Sequence, residues 1–129
     1  MKVLVLSNNT FEEREIKDTL GGLQEIVGGY IEIPYLSRVF NDNEIDIIIN
    51  EEGKYIEGLK PEIAVINKET QTILDIVYGN CVFASHDYEG NTTELSEKQK
   101  GIIINELKLS ATLQNPNTSE HHLVKVLLV

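Results

Sequence analysis

Val3, Leu4, Val5 and Leu6 follow one another without a polar break, the pattern of a strand covered on both faces rather than of one with a wet side. A turn cluster, Ser7-Asn8-Asn9-Thr10, separates this strand (residues 2–6) from the more polar stretch 11–16, which can return beside it as a hairpin. Asp18 or Thr19 then offers a cap oxygen to a helix that places Leu20, Leu23, Gln24, Ile26 and Val27 on helical spacing. Gly28-Gly29 ends it, because glycine accepts the left-handed conformation of a helix C-terminus. Gly21-Gly22 lies inside the same segment, at a cost of about 1 kcal/mol per glycine relative to alanine. Packing, not propensity, must hold this helix.

Further along, residues 30–33 alternate as a strand that Pro34 stops or places on an edge, and 44–49 form the clearest strand of the first half. A short apolar run at 63–67 precedes two more strands, 73–78 and 81–84, hinged at Gly79-Asn80 as a hairpin or as one long bulged strand. Ser96-Glu97-Lys98-Gln99 matches the capping box, and Ile102, Ile103, Glu106 and Leu107 continue it as an amphipathic helix starting at Glu97. Residues 111–120 read as a connector, and 123–129 as a closing apolar strand that must insert in its own sheet or pair with a second subunit. The pattern predicts a single α+β domain, a mixed but mainly antiparallel sheet with two short helices. Residues 1–109 form the domain proper, and 110–129 are a connector and strand packed on it or on a partner subunit.

Composition narrows the function classes. The chain has 129 residues, 21 acidic against 11 basic, for a formal charge of −10 and a pI near 4.7. Such a surface repels phosphate backbones, so duplex nucleic acid is not an expected partner. No apolar run reaches the roughly 18 residues of a membrane helix, and the apolar start is too short for a signal peptide, which gives the expectation of a cytoplasmic protein without membrane contact. One cysteine, Cys81, and three scattered histidines exclude a disulfide framework and a cysteine-rich zinc module. The acids are uneven: Asp42, Glu44, Asp46, Glu51, Glu52, Glu57 and Glu62 face only Lys54 and Lys60, a local charge of −5. That segment is either a solvated edge or a face that docks on a basic partner.

Candidate catalytic chemistry is thin. Cys81, His86 and Asp87 form a conceivable nucleophilic set, but Cys81 beside Val82 and Phe83 reads as core and His86 as a loop surface. His121 and His122, being adjacent, point to opposite sides of a strand, a poor geometry for one metal ion. No phosphate loop, dinucleotide fingerprint or nucleophile elbow occurs. The expectation is therefore binding without catalysis, with no cofactor, metal or catalytic residue. Arg38 between Tyr35 and Phe40 is the best placed by composition to stack a base and pair a phosphate, with Arg14 or Lys54 drawn in by the fold or by a second subunit.

Two stretches carry a family resemblance. Leu23-Gln24-Glu25-Ile26-Val27-Gly28-Gly29-Tyr30-Ile31-Glu32, then Asn50-Glu51-Glu52-Gly53-Lys54 and Gly58-Leu59-Lys60-Pro61, resemble the DUF3846 family of phages and conjugative elements. The likeness continues through Asp75-Ile76-Val77-Tyr78-Gly79-Asn80 and from Leu95 to Leu107, covering roughly residues 1–107. It supplies no active site. It implies a mobile-element setting in the host cytoplasm, and from that setting two expectations follow. One is a counter-defence protein that sequesters a small nucleotide-derived immune signal as a homo-oligomer. The other is an acidic inhibitor docked on a host defence nuclease or restriction system.

Overall fold

The structure, a computed structural model, describes residues 1–114 and 119–129. The element order is β1 (Lys2–Ser7), β2 (Thr10–Glu15), α1 (Thr19–Val27), β3 (Ile31–Glu32), α2 (Arg38–Asp42), β4 (Ile45–Asn50), a single 3-10 turn (Gly53–Tyr55), β5 (Pro61–Ile66), β6 (Ile73–Tyr78), β7 (Cys81–His86), β8 (Thr92–Thr93), α3 (Glu97–Glu106), β9 (Ser110–Gln114) and β10 (His121–Leu128). Among the described residues, ten strands and three helices make an α+β domain whose strand pairs are antiparallel except β5 with β10.

The first sheet runs β2-β1-β7-β4-β3, with β8 added at the end of β7, and it is the middle layer of the fold. On one face Val3, Val5, Ile48, Val82 and Ala84 pack against Leu23 and Val27 of α1. On the other, Leu4, Leu6, Ile45, Ile47, Cys81 and Phe83 meet the second sheet and α3 through Ile63, Val65, Leu127, Ile103 and Leu107. Burial on both faces is why β1 and β7 are apolar without alternation. The polar partner strand β2 closes the edge, its residues Glu12, Glu13, Arg14 and Glu15 keeping other strands away.

Local rules account for several boundaries. Ser96 accepts from the Gln99 amide at 3.1 Å while the Gln99 side chain accepts from the Ser96 amide at 2.8 Å, the reciprocal box expected at the start of α3. Gly28, at φ 81°, ends α1 as expected. Asp18 occupies the N-cap position but makes no side-chain cap bond. Gly22 is there for contact: a Cβ would lie 2.8 Å from the Ile16 Cβ, so α1 could not sit so close to the end of β2 with any other residue.

The second sheet runs β6-β5-β10-β9, and the fold departs from the sequence expectation at several points. β6 and β7 are neither a hairpin nor one strand: at Gly79, φ 85°, the chain leaves the second sheet and enters the first. Residues 111–114, expected as connector, belong to strand β9, with Ala111 and Leu113 half-buried between exposed neighbours; residues 115–118 of that expected connector lie outside the described residues. α2 was not expected; Ser37 caps it, accepting from the Phe40 amide at 3.4 Å. β10 itself is hydrogen-bonded on both sides, parallel to β5 and antiparallel to β9, so its edges are filled within one chain.

Candidate functional site

The residues expected to bind a phosphate-bearing ligand are not brought together. Arg38 opens α2 and is exposed, its guanidinium 3.3 Å from Asp42 one turn on. Tyr35 is exposed, but Phe40 is 2% exposed and packs edge-on against Phe83 at 6.2 Å. Two residues apart on a helix, Arg38 and Phe40 point about 200° apart, so the aromatic bracket around the arginine does not form. Arg14 pairs with Glu12 on β2, and Lys54 in the 3-10 turn lies 2.5 Å from Asp75. β2 and β3 are the opposite edges of the first sheet, four strand spacings of about 4.8 Å apart. Each of the three cations is neutralised where it stands.

The acidic segment is divided in the same way. Asp42 and Glu44 lie before β4, whereas Glu51, Glu52 and Glu57 follow it, so a buried strand separates them. Two of the seven acids have internal tasks. Glu62 is 3% exposed and accepts the Asn8 and Asn9 amides at 3.0 and 3.1 Å, holding the tip of the β1–β2 hairpin. Both asparagines have positive φ, the twisted two-residue turn that matches the strand twist. A register shift between Pro61 and Ile63 places Glu62 at a bulge, which turns its side chain toward that tip. The other is Asp46, whose carboxylate stands 3.1 and 3.2 Å from His86 Nδ1.

The His86–Asp46 pair was not legible in the sequence. Asp46 is opposite Ala84, which puts His86 diagonally across from it on the same sheet face. Asp46 orients the imidazole in an open hollow of about 530 Å³ with Glu44, Asp87 and Tyr88. Ser85 lines the same hollow, and its hydroxyl accepts from the Gln99 side-chain amide at 2.8 Å. Asp87 is spent on its own loop, accepting the Glu89 and Asn91 amides at 2.9 Å each, and the Asn91 amide foremost holds its carboxyl below the usual range. Cys81 sits at the far end of the strand from His86, fully buried, and burial pushes its thiol far above the ordinary range. Thus Cys81, His86 and Asp87 are not assembled as a set. Among the described residues no group of three His, Cys, Asp or Glu side chains could hold a metal ion, and no helix is long and apolar enough to cross a membrane.

A different surface concentrates exposed apolar area. Tyr55 is 87% exposed and Tyr30 74%, and Ile33, Ile56 and Leu74, close to them or to Asp75 along the chain, are also exposed. The backbone ties these segments together: the Tyr30 carbonyl accepts the Glu51 amide at 2.9 Å, and Glu32 of β3 is opposite Ile49 of β4. Between β4 and the outer strand β6 runs a groove of about 230 Å³, lined by Glu32, Pro34, Glu51, Lys54, Tyr55 and Asp75 among others. Gly53 closes one end; a Cβ there would lie 2.8 Å from the Tyr78 carbonyl oxygen, so only glycine lets the turn approach β6. Lys54 bridges the groove to Asp75, whose Oδ1 also accepts the Ile76 amide at 2.9 Å. The sequence signal for this surface was the placing of Tyr30 and Tyr55 among Glu, Lys and Gly rather than in apolar runs.

A second hollow, about 770 Å³, opens between the end of β2 and the start of α1, lined by Arg14, Lys17, Asp18, Gly21, Gly22 and Glu25 among others. No curated protein and no solved structure matches the chain. The model of a domain of unknown function, DUF3846, matches residues 1–108, which take in every element from β1 to α3 and the whole tyrosine-bearing groove. The chain belongs to the DUF3846 family.

Proposed function

We propose that the protein is an acidic binding module that docks on a basic protein surface through Tyr30, Ile33, Tyr55, Ile56 and Leu74, with Glu32, Glu51, Glu52 and Glu57 as the charged surround. The observation that carries this reading is the exposure of the two tyrosines, 87% and 74%, beside a groove rimmed by carboxylates. Tyrosine is enriched at protein interfaces because it brings a large rigid area at little entropic cost, and surrounding charge steers encounter with an oppositely charged partner. In the mobile-element setting of the resemblance, the partner would be a host defence nuclease or restriction subunit and the docking would inhibit it.

The test is site-specific photo-crosslinking in cells, with the reactive side chain placed at Tyr55 or, as control, at Tyr88. A basic protein captured from 55 and not from 88, and lost in high salt, is the expected result. Tyr55→Ala should then weaken the complex by about 2 kcal/mol, as central interface aromatics do. Capture that is equal at both positions, or insensitive to Tyr55→Ala, would refute the docking face.

Capture of a small nucleotide-derived signal is the second reading; the hollow at the start of α1 offers Lys17 and the paired Arg14 beside two glycines, against the carboxylates of Glu15, Asp18 and Glu25. Calorimetric titration with a nucleotide panel tests it: binding abolished by Lys17→Glu would support this site, and heats unchanged by that variant would remove it.

A further inference from the structure

We propose that the groove beside the Gly53–Tyr55 turn is an arginine-recognition site, in which Lys54 is a resident occupant that a guanidinium group of the partner displaces. The inference rests on the docking reading above and names the group that the face captures. The groove, about 230 Å³, suits one long side chain rather than a ligand of drug size. Tyr55 and Tyr78 are among its lining residues, while Glu32, Glu51 and Asp75 set three carboxylates against the single ammonium of Lys54. A cation already resides there and is favoured: the hydrogen bond that Lys54 donates to Asp75 holds its ammonium above the usual range, and Tyr55 and Glu32 add to the effect.

The resident is replaceable. Lys54 and Asp75 side chains are 57% and 37% exposed, and ion pairs so open to water hold weakly. Lys54 reaches only Oδ1 of Asp75, the oxygen that also takes the Ile76 amide. A guanidinium fork can engage both oxygens at once and lay its face on Tyr55, which an ammonium on a flexible stem cannot do. Neither arginine of the chain lines the groove: Arg14 stands on β2 and Arg38 at the start of α2. The occupant therefore comes from another protein.

The test uses the full chain, labelled for NMR, and a flexible Gly-Ser peptide carrying three arginines, with lysine and citrulline counterparts. The arginine peptide should shift the amides of Tyr55, Asp75 and Ile76 and bind about tenfold tighter than the lysine peptide; citrulline should not bind. Lys54→Gln empties the groove and should tighten arginine binding several-fold beyond Lys60→Gln, which removes the same charge outside it. Asp75→Asn should weaken binding about tenfold. Equal tightening by the two lysine variants, equal affinity for arginine and lysine, or shifts centred on Glu44 and Tyr88 would each overturn the site. A basic partner crosslinked at Tyr55 without arginine binding here would sink this inference and leave the docking reading standing. Arginine binding without a crosslinked partner would do the reverse.

Discussion

Replacing Gln99 by Glu separates the two things that side chain does. Its Oε1 accepts the Ser96 amide at 2.8 Å, and its Nε2 donates to the Asn43 carbonyl at 2.9 Å and to the Ser85 hydroxyl at 2.8 Å. One residue thus caps α3 and stitches it to the corner before β4 and to β7. Glutamate keeps the cap and adds a favourable charge at the helix N-terminus, worth about 0.3–1 kcal/mol. It also sets a carboxylate oxygen against the Asn43 carbonyl, two acceptors with no proton between them, while the Ser85 hydroxyl can rotate to donate. Losing that bond and leaving the carbonyl unpaired costs about 1–3 kcal/mol, more than the cap gains. The net expectation is a loss of about 1–2 kcal/mol at neutral pH, read from urea denaturation against wild type. The pH dependence carries the proof. The facing carbonyl raises the folded-state pKa of the introduced carboxyl above its unfolded value, so the penalty is complete above the folded value and disappears as pH falls below the unfolded one, where the protonated acid donates as the amide did. Ser96→Ala, which spares the Nε2 contacts, should cost about 1 kcal/mol at any pH in that range. A Gln99→Glu loss that is absent, or that stays constant with pH, would show that the amide does not bind the Asn43 carbonyl.

Other outcomes follow from single contacts. Glu62→Gln leaves one hairpin amide facing an NH2 group and should cost about 2 kcal/mol in a denaturant titration; a change below about 0.5 kcal/mol would mean that water replaces the carboxylate. Phe40→Ala should cost about 3–5 kcal/mol, whereas Arg38→Ala should stay within about 0.5 kcal/mol; thermal melts of similar size for the two would contradict the opposite facing of these residues on α2. The Asp87 carboxyl titrates below its unfolded value, so its hold on the loop is fully present above that value and is lost as pH falls through the lowered folded one. The Glu89 and Asn91 amide signals should therefore move only on the acid side of the usual aspartate range, and movement within that range would speak against the two hydrogen bonds.

What was legible in the sequence was what neighbours in the chain decide. The Ser96 and Gln99 box, the Gly28 terminus and the uninterrupted β1 run depend on spacings of a few residues or on burial of both faces, which composition records directly. The pairing of β10 with β5 joins residues some sixty apart in register, such as Lys125 with Ile63, and nothing local announces that it is parallel. The crossing at Gly79 reads in sequence as any glycine hinge, because the contacts that accompany it, Leu59 against Gly79 and the Asn80 amide on the Ile26 carbonyl, come from distant parts of the chain. For the site, arginine beside aromatics was a sound cue to residue type, but α2 is too short to show a period, so the turning of Phe40 into the core was invisible. The tyrosine groove is built from segments near 32, 51, 55 and 75 that meet only in the fold.

Cys81 gives the molecule a timekeeper. It is the one thiol of the chain, fully buried in the middle strand of the first sheet and held protonated by its surroundings. Thiolate is the reactive form, so an added alkylating reagent finds nothing to attack until β7 itself comes out. The rate of labelling then counts excursions of the whole central layer rather than fraying of an edge, and with a fast reagent it becomes the unfolding rate. Binding at a distant face would register in the same count, as a slower clock, without any probe placed at the interface.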